Sequence, residues 1–133
     1  MRVRRATLRE WEQLRALHGA SLEPSDQFTL TALRRKLRLG HVWLAQLGDV
    51  AAGLCMLERN GYISAIAVLP ELRRRGVGAA LLRVAIRAGA RRCEIRARNI
   101  ASEALFKQAG FAVTGLKAGR YADGEAALEM ERV

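Results

Sequence analysis

The apolar positions change period several times along the chain, and each change marks an element. Val3 to Ala6 reads as a short strand. Leu8, Trp11, Leu14 and Leu17 then recur at helical spacing. Thr7 stands at N-cap with Glu10 three residues on, a capping-box pattern, and the helix is expected to end before Gly19. Ser21 to Gln27 is a polar loop containing Pro24. Leu30, Leu33 and Leu37 mark a second helix, which Gly40 closes.

Strands follow. His41 to Leu47 and Val50 to Leu57 flank Gly48-Asp49, a two-residue hairpin signal. Asn60-Gly61 predicts a type I′ turn into a third strand, Tyr62 to Leu69, which Pro70 stops. These three strands predict an antiparallel meander. Val77, Leu81, Val84/Ala85 and Ala88 then give a helix face that ends at Gly89. Cys93, Ile95 and Ala97 alternate with Glu94, Arg96 and Arg98, a half-buried strand. Strand, glycine loop, helix, strand is a βαβ unit, so the Tyr62 and Cys93 strands are expected to run parallel. A short helix from Ser102 to Ala109 with Gly110 beyond it, a strand from Phe111 to Leu116, an Asp123-Gly124 turn and a strand from Ala126 to Met130 complete the chain. The order is βααβββαβαββ: an α/β (α+β) fold with a mixed, mostly antiparallel sheet and helices on both faces. No repeat or linker interrupts it, so residues 1–133 are expected to form one domain.

Composition adds charge to this picture. The net charge is +10, and lysine occurs only at positions 36, 107 and 117, so arginine supplies the rest. Such a surplus suits an anionic partner. Nucleic acid is disfavoured, because aromatic residues are scarce and not interleaved with the arginines, and no recognition motif stands out. Cys55 and Cys93 sit in apolar strands and are expected to be free thiols, which suits a cytoplasmic protein. His18 and His41 lack partners at ligand spacing, so no metal site is expected. No apolar run approaches the roughly 20 residues that span a bilayer, and the basic N-terminus is not followed by an apolar leader, so no membrane partner is expected.

The most informative stretch is Ile66-Ala67-Val68-Leu69-Pro70-Glu71-Leu72-Arg73-Arg74-Arg75-Gly76-Val77-Gly78. A strand ends, glycines turn the chain and a helix begins. Glycines let backbone N–H groups approach a phosphate, the helix N-terminus adds donors and partial positive charge, and arginines add forked charges. A P-loop would need Lys and Ser/Thr where Ala79 and Ala80 follow Gly78. A dinucleotide fingerprint would need Gly or Ala at Leu81 and an acid where Arg98 stands.

Arg73-x-x-Gly76-x-Gly78 resembles the pyrophosphate-binding signature of the GNAT acetyltransferase superfamily. Asn99-Ile100-Ala101-Ser102-Glu103-Ala104-Leu105-Phe106-Lys107-Gln108-Ala109-Gly110-Phe111 resembles the same family's second motif, one strand later. The resemblance runs from about residue 50 to the end.

It implies an enzyme that moves an acetyl group from acetyl-CoA to an amine by direct attack. Arg73, Arg74, Arg75, Gly76, Val77, Gly78 and Ala79 would hold the pyrophosphate; Ile66, Ala67 and Val68 would line the pantetheine arm; Asn99 and Phe106 would contact it. The Val68 N–H would polarise the thioester carbonyl. Glu58 is a candidate base; because Phe106 stands where many members carry a tyrosine, the thiolate would leave unaided or take a proton from Tyr121 or Tyr62. That phenylalanine leaves open a non-catalytic acyl-CoA-binding regulator. A surface acid at Glu58, a capping role for Glu103 and an N-cap role for Asn99 are the structural alternatives. His18, at a helix end, is expected on the surface. The last strand is expected to be exposed, where it could pair across the axis of a homodimer.

Overall fold

The structure is a computed structural model and describes residues 1–132. Its elements are β1 (Arg2–Arg5), α1 (Trp11–Ser21), α2 (Leu30–Arg38), β2 (Val42–Leu47), β3 (Val50–Leu57), β4 (Tyr62–Val68), α3 (Val77–Arg87), β5 (Arg92–Arg96), α4 (Ile100–Gln108), β6 (Phe111–Lys117) and β7 (Ala127–Arg132), in the expected order. Seven strands form one sheet in the order β1-β2-β3-β4-β5-β7-β6. Among the described residues only β4 and β5 pair in parallel, and they do so at two positions, Tyr62 with Arg92 and Ile63 with Cys93.

Two cores lie on the two faces of the sheet. One gathers Val77, Leu81, Leu82 and Ala85 of α3 and Phe106 of α4 over Cys55, Ile63, Cys93 and Ile95. The other gathers Leu14 and Leu17 of α1 and Leu33 and Leu37 of α2 under Val42, Leu44, Leu54 and Met56. Each buried leucine contributes about 1.5–3 kcal/mol, so both helix pairs are held to the sheet mainly by apolar burial. Gly53 lets α3 settle on the sheet: a Cβ there would stand 2.9 Å from the Ala67 carbonyl oxygen and 3.1 Å from Val77 Cγ1.

Four expectations need correction. Helix α1 runs through Gly19 to Ser21. Leu14, Leu17, His18 and Ser21 form one buried stripe, and that packing outweighs the roughly 1 kcal/mol that glycine costs a helix. The Thr7–Glu10 pair is present, with the Thr7 N–H donating to Glu10 Oε1 at 2.9 Å, but it closes a single 3-10 turn, Leu8–Glu10, ahead of the helix. The turn at Asn60-Gly61 is not type I′, because only Gly61 of the two has positive φ (+85°). The Gly61 N–H returns to the Glu58 carbonyl and the Glu58 N–H donates to the Tyr62 carbonyl, a type I turn closed by a glycine bulge. Finally, the last strand is not an exposed edge. The hairpin folds so that β7 pairs with β5 over five positions, leaving β6 outermost.

Both thiols are free and buried, Cys55 fully and Cys93 at 3% exposure. Burial pushes both up to about 12. No helix is long and apolar enough to cross a membrane, and no group of three or more His, Cys, Asp or Glu side chains among the described residues could hold a metal ion.

Candidate active site

Beyond Ile63, β4 and β5 separate, and a cavity of ≈ 320 Å³ lies between them. Successive residues of a strand direct their backbone groups to opposite edges. The Leu69 N–H bonds to the Ala52 carbonyl on β3, and Ala67 pairs with Leu54. Ile66 and Val68 therefore turn their N–H and C=O groups toward the opening. Ala67 does not join them: its backbone faces β3 and its methyl is buried in the α1/α2 core.

At the end of β4 a 3-10 turn, Pro70–Leu72, leads into the glycine loop. Arg74 has φ +65°, the only positive φ outside glycine among the described residues, and Gly76 follows at +80°. An L-residue in that region costs about 1–2 kcal/mol. Two left-handed residues in so short a stretch turn the chain sharply into α3. The first intrahelical bond of α3 runs from the Ala80 N–H to the Gly76 carbonyl, so the N–H groups of Val77, Gly78 and Ala79 are left for a ligand. Gly78 sits close under α4, where a Cβ would stand 3.3 Å from Leu105 Cδ2.

The three arginines divide. Arg74 and Arg75 are exposed, and among the described residues no ion pair engages them. Arg73 turns back, its Nε donating to the Val68 carbonyl at 3.1 Å. It thus satisfies one of the strand-edge groups and leaves the Val68 N–H beside the opening. Free N–H groups, unpaired guanidinium groups and an open strand edge are the donor set a diphosphate with an amide-bearing arm requires.

The opposite wall belongs to β5. Cys93 and Ile95 enter the α3/α4 core, so Glu94 and Arg96 project to the α1/α2 face. Both line the cavity, with Tyr62, Ser64 and Tyr121. Glu94 accepts from Lys117 Nζ and Arg120 Nε, each at 2.9 Å. Burial alone would raise its carboxyl, but those hydrogen bonds prevail and hold it below the usual carboxylate range. Sequence reasoning noted Glu94 only as a polar member of an alternating strand. Its cationic partners lie 23 and 26 residues away, so no local signal marked it.

Of the other candidates, Tyr121 lines the cavity, half-buried, with its hydroxyl pushed up chiefly by burial. Tyr62 lines it too, raised by burial and by Glu94. Phe106 is fully buried, packs edge-on against Phe111 at 5.1 Å and also lines the cavity. Asn99 caps α4 through Oδ1, which accepts the Ser102 N–H at 3.0 Å, and it borders the same cavity.

Glu58 is not a solvated surface acid. It accepts from Lys36 Nζ at 2.8 Å and Ser64 Oγ at 2.7 Å, one side chain removed from the cavity. Burial works against its charge, yet these bonds hold its carboxyl below the usual range. Glu103 pairs with Lys107 one turn on. His18 is buried rather than on the surface, because the loop after α1 folds over it. Its Nε2 accepts the Phe28 N–H at 3.1 Å, and burial lowers its pKa.

Comparison with known proteins gives this geometry a family. Residues 6–111 match the Acetyltransferase (GNAT) family. An N-alpha-acetyltransferase of Saccharolobus solfataricus is 35% identical over 83 residues, which cover 57% of this chain and 50% of that protein. The match thus spans about half the length of that relative. Among solved structures, the ribosomal-protein-S18-alanine N-acetyltransferase of Escherichia coli superposes with a TM-score of 0.82 at 19% identity, covering 98% of this chain and 92% of that one. Arabidopsis thaliana Naa50, solved with a bisubstrate analogue CoA-Ac-MVNAL, gives 0.81 at 19% identity over 99% and 98% of the two chains. These two likenesses concern the fold, whereas the family match covers most of the sequence, glycine loop included. The chain belongs to the acetyltransferase (GNAT) family.

Proposed function

We propose that this protein transfers an acetyl group from acetyl-CoA to an amine, and that the acceptor is the α-amine of a peptide or protein. One observation carries the reading: the unpaired edge of β4 opens onto a cavity that also contains a carboxylate, Glu94, with a phosphate-type loop at the end of the same strand. The name of the Saccharolobus solfataricus relative supports the α-amine over other acceptors.

The Val77, Gly78 and Ala79 N–H groups, with Arg74 and Arg75, hold the pyrophosphate, and the Ile66 and Val68 edge aligns the pantetheine arm. The bound thioester supplies the acyl group. The Val68 N–H stabilises negative charge on its carbonyl oxygen, a contribution of about 3–4 kcal/mol for one well-placed donor. Glu94 accepts a proton from the amine nitrogen as attack proceeds, directly or through water. Tyr121 or Tyr62 stands in the same cavity to protonate the departing thiolate, which needs less help than an alkoxide would. Phe106 offers no proton and seals the apolar wall instead. Holding amine and thioester in line supplies much of the acceleration.

The test is a thiol-release assay with acetyl-CoA and short peptides, one set with a free α-amine and one α-blocked but carrying lysine. Turnover with the first set alone is expected. Turnover confined to the second would overturn the α-amine assignment.

A further inference from the structure

We propose that Arg96 is a positioning residue that ties together the two loops flanking the acceptor side of the cavity and so sets the width of the opening through which the amine enters. This rests on the acetyl-transfer reading for its purpose, but not for its geometry.

Arg96 lies on β5, at the mouth of the opening where β4 and β5 have separated. All three of its guanidinium nitrogens are engaged. Nε and Nη2 grip Asp26 as a fork, at 3.2 Å to Oδ2 and 2.8 Å to Oδ1. Nη2 also reaches Ser25 Oγ at 3.4 Å. Nη1 donates to Asp123 Oδ2 at 2.7 Å and to Glu125 Oε1 at 2.9 Å. The guanidinium carbon stands 4.1 Å from the centre of the Tyr121 ring.

Ser25 and Asp26 belong to the α1–α2 loop, 70 residues or more from Arg96 in sequence; Asp123 and Glu125 belong to the β6–β7 loop, 27 and 29 residues away. One side chain therefore joins two segments that share no strand pairing. The β6–β7 loop is fixed further by Glu125, whose Oε2 accepts the Arg98 N–H at 2.9 Å, and by Asp123, whose Oδ1 accepts the Glu125 N–H at 3.0 Å. The loop's other side-chain hydrogen bonds, from Gln27 Nε2 to the Gly19 and Leu22 carbonyls and from the Phe28 N–H to His18 Nε2, run back to α1 and its end, so among the described residues Arg96 is the polar link between Asp26 and β5.

Planarity matters. A guanidinium can present donors in one plane to Asp26 on one side and to Asp123 and Glu125 on another, whereas an ammonium is a single point charge. Leu22 and Tyr121, which line the cavity, are carried on the two tied segments. Releasing the tie would let both side chains move away from the acceptor path, while the glycine loop at the start of α3 would be untouched.

The experiment compares the whole protein with Arg96→Leu, Arg96→Lys and Asp26→Asn, by hydrogen exchange and by kinetics with acetyl-CoA and a free α-amine peptide. In Arg96→Leu, exchange is expected to rise in residues 22–28 and 121–125 together. In Asp26→Asn it should rise in 22–28 alone. The peptide KM should increase in Arg96→Leu, the signature of lost acceptor binding, with acetyl-CoA KM unchanged and kcat less affected. Arg96→Lys should recover only part of the loss. Unchanged exchange in either loop of a folded Arg96→Leu protein would overturn the tie. Equal rises in the KM values for peptide and acetyl-CoA would overturn its assignment to the acceptor side. Should Arg96→Leu fail to fold, Asp26→Asn carries the same decision, since the proposal fails if loop 22–28 stays protected and peptide KM is unchanged. Failure of the wild type to bind acetyl-CoA would instead defeat the acetyl-transfer reading, and the exchange result would still decide whether the loops are tied.

Discussion

The arginines of the glycine loop and Arg96 on β5 are treated in opposite ways. At the start of α3, Arg74 and Arg75 stand exposed, and no ion pair among the described residues engages them. On β5, Arg96 is surrounded by Asp26, Asp123 and Glu125. Unpaired charge in water costs little and stays available to an incoming anion. Charge that is already saturated cannot recruit a ligand, but it can hold a shape. The contrast separates a surface left open to an anion from one whose charges are already paired. The molecule's net charge of +10 does not describe both, because three carboxylates surround one guanidinium at the acceptor mouth.

The largest effect expected from breaking this contrast comes from Gly76→Glu. A carboxylate placed among the phosphate donors should lower acetyl-CoA affinity by more than about a hundredfold, since hydrogen bonds to charged groups are worth about 1.5–3 kcal/mol each. Gly76 has φ +80° with open space around its Cα, so the fold should survive with a strain of about 1–2 kcal/mol. Calorimetry and a thermal melt read the two effects separately.

Glu94→Gln acts on turnover rather than on binding. It should cut kcat by about 10²–10⁴-fold, the usual loss with a general base, and leave acetyl-CoA binding intact. A variant that keeps full turnover would move the base elsewhere, with Glu58 behind Ser64 as the next candidate.

A smaller effect is expected from Arg74→Ala combined with Arg75→Ala. Exposed charges are worth about 0.2–1 kcal/mol each, so acetyl-CoA affinity should fall roughly two- to thirtyfold and lose much of its salt dependence. Neutralising Arg96 should change neither quantity.

The smallest effect concerns pH. His18 titrates below its ordinary value in the folded protein because of burial. Its contribution to stability is therefore complete above the unfolded imidazole value, about 6.5, and is lost as pH falls from there through the lower folded value. Asp123 is held down by the Glu125 N–H and Arg96, and Glu125 by Arg96 and the Arg98 N–H. Their contributions persist to lower pH and are lost only below the ordinary carboxylate values, about 3.9–4.3. Hydrogen exchange across residues 22–28 should rise first on acidification, with residues 121–125 following at lower pH and the start of α3 changing least.

Those regions also divide what the sequence could reveal. The order of elements was readable because each carries its own periodicity and stop signal: Pro70 after β4, Gly89 after α3 and Gly110 after α4. The glycine loop stood out because its signal is local, with arginines, glycines and a helix start within six residues. Arg96 and Glu94 were not, because their meaning lies in partners 23 to 71 residues away. The same reason hid the burial of His18, whose cover comes from the Phe28 segment, and the insertion of β7 between β5 and β6, which depends on pairing with a strand more than thirty residues earlier. Asn60-Gly61 misled for a different reason: one glycine in the left-handed region serves either turn type, and the flanking register decides between them.

The most direct measurement is calorimetric titration of acetyl-CoA into the purified protein at low and high salt, with ATP as a control for phosphate alone. One-to-one binding that weakens with salt, and that is much tighter than ATP binding, is the result predicted for an unpaired arginine loop joined to an open strand edge. Absence of acetyl-CoA binding, or binding no tighter than that of ATP, would contradict the assignment.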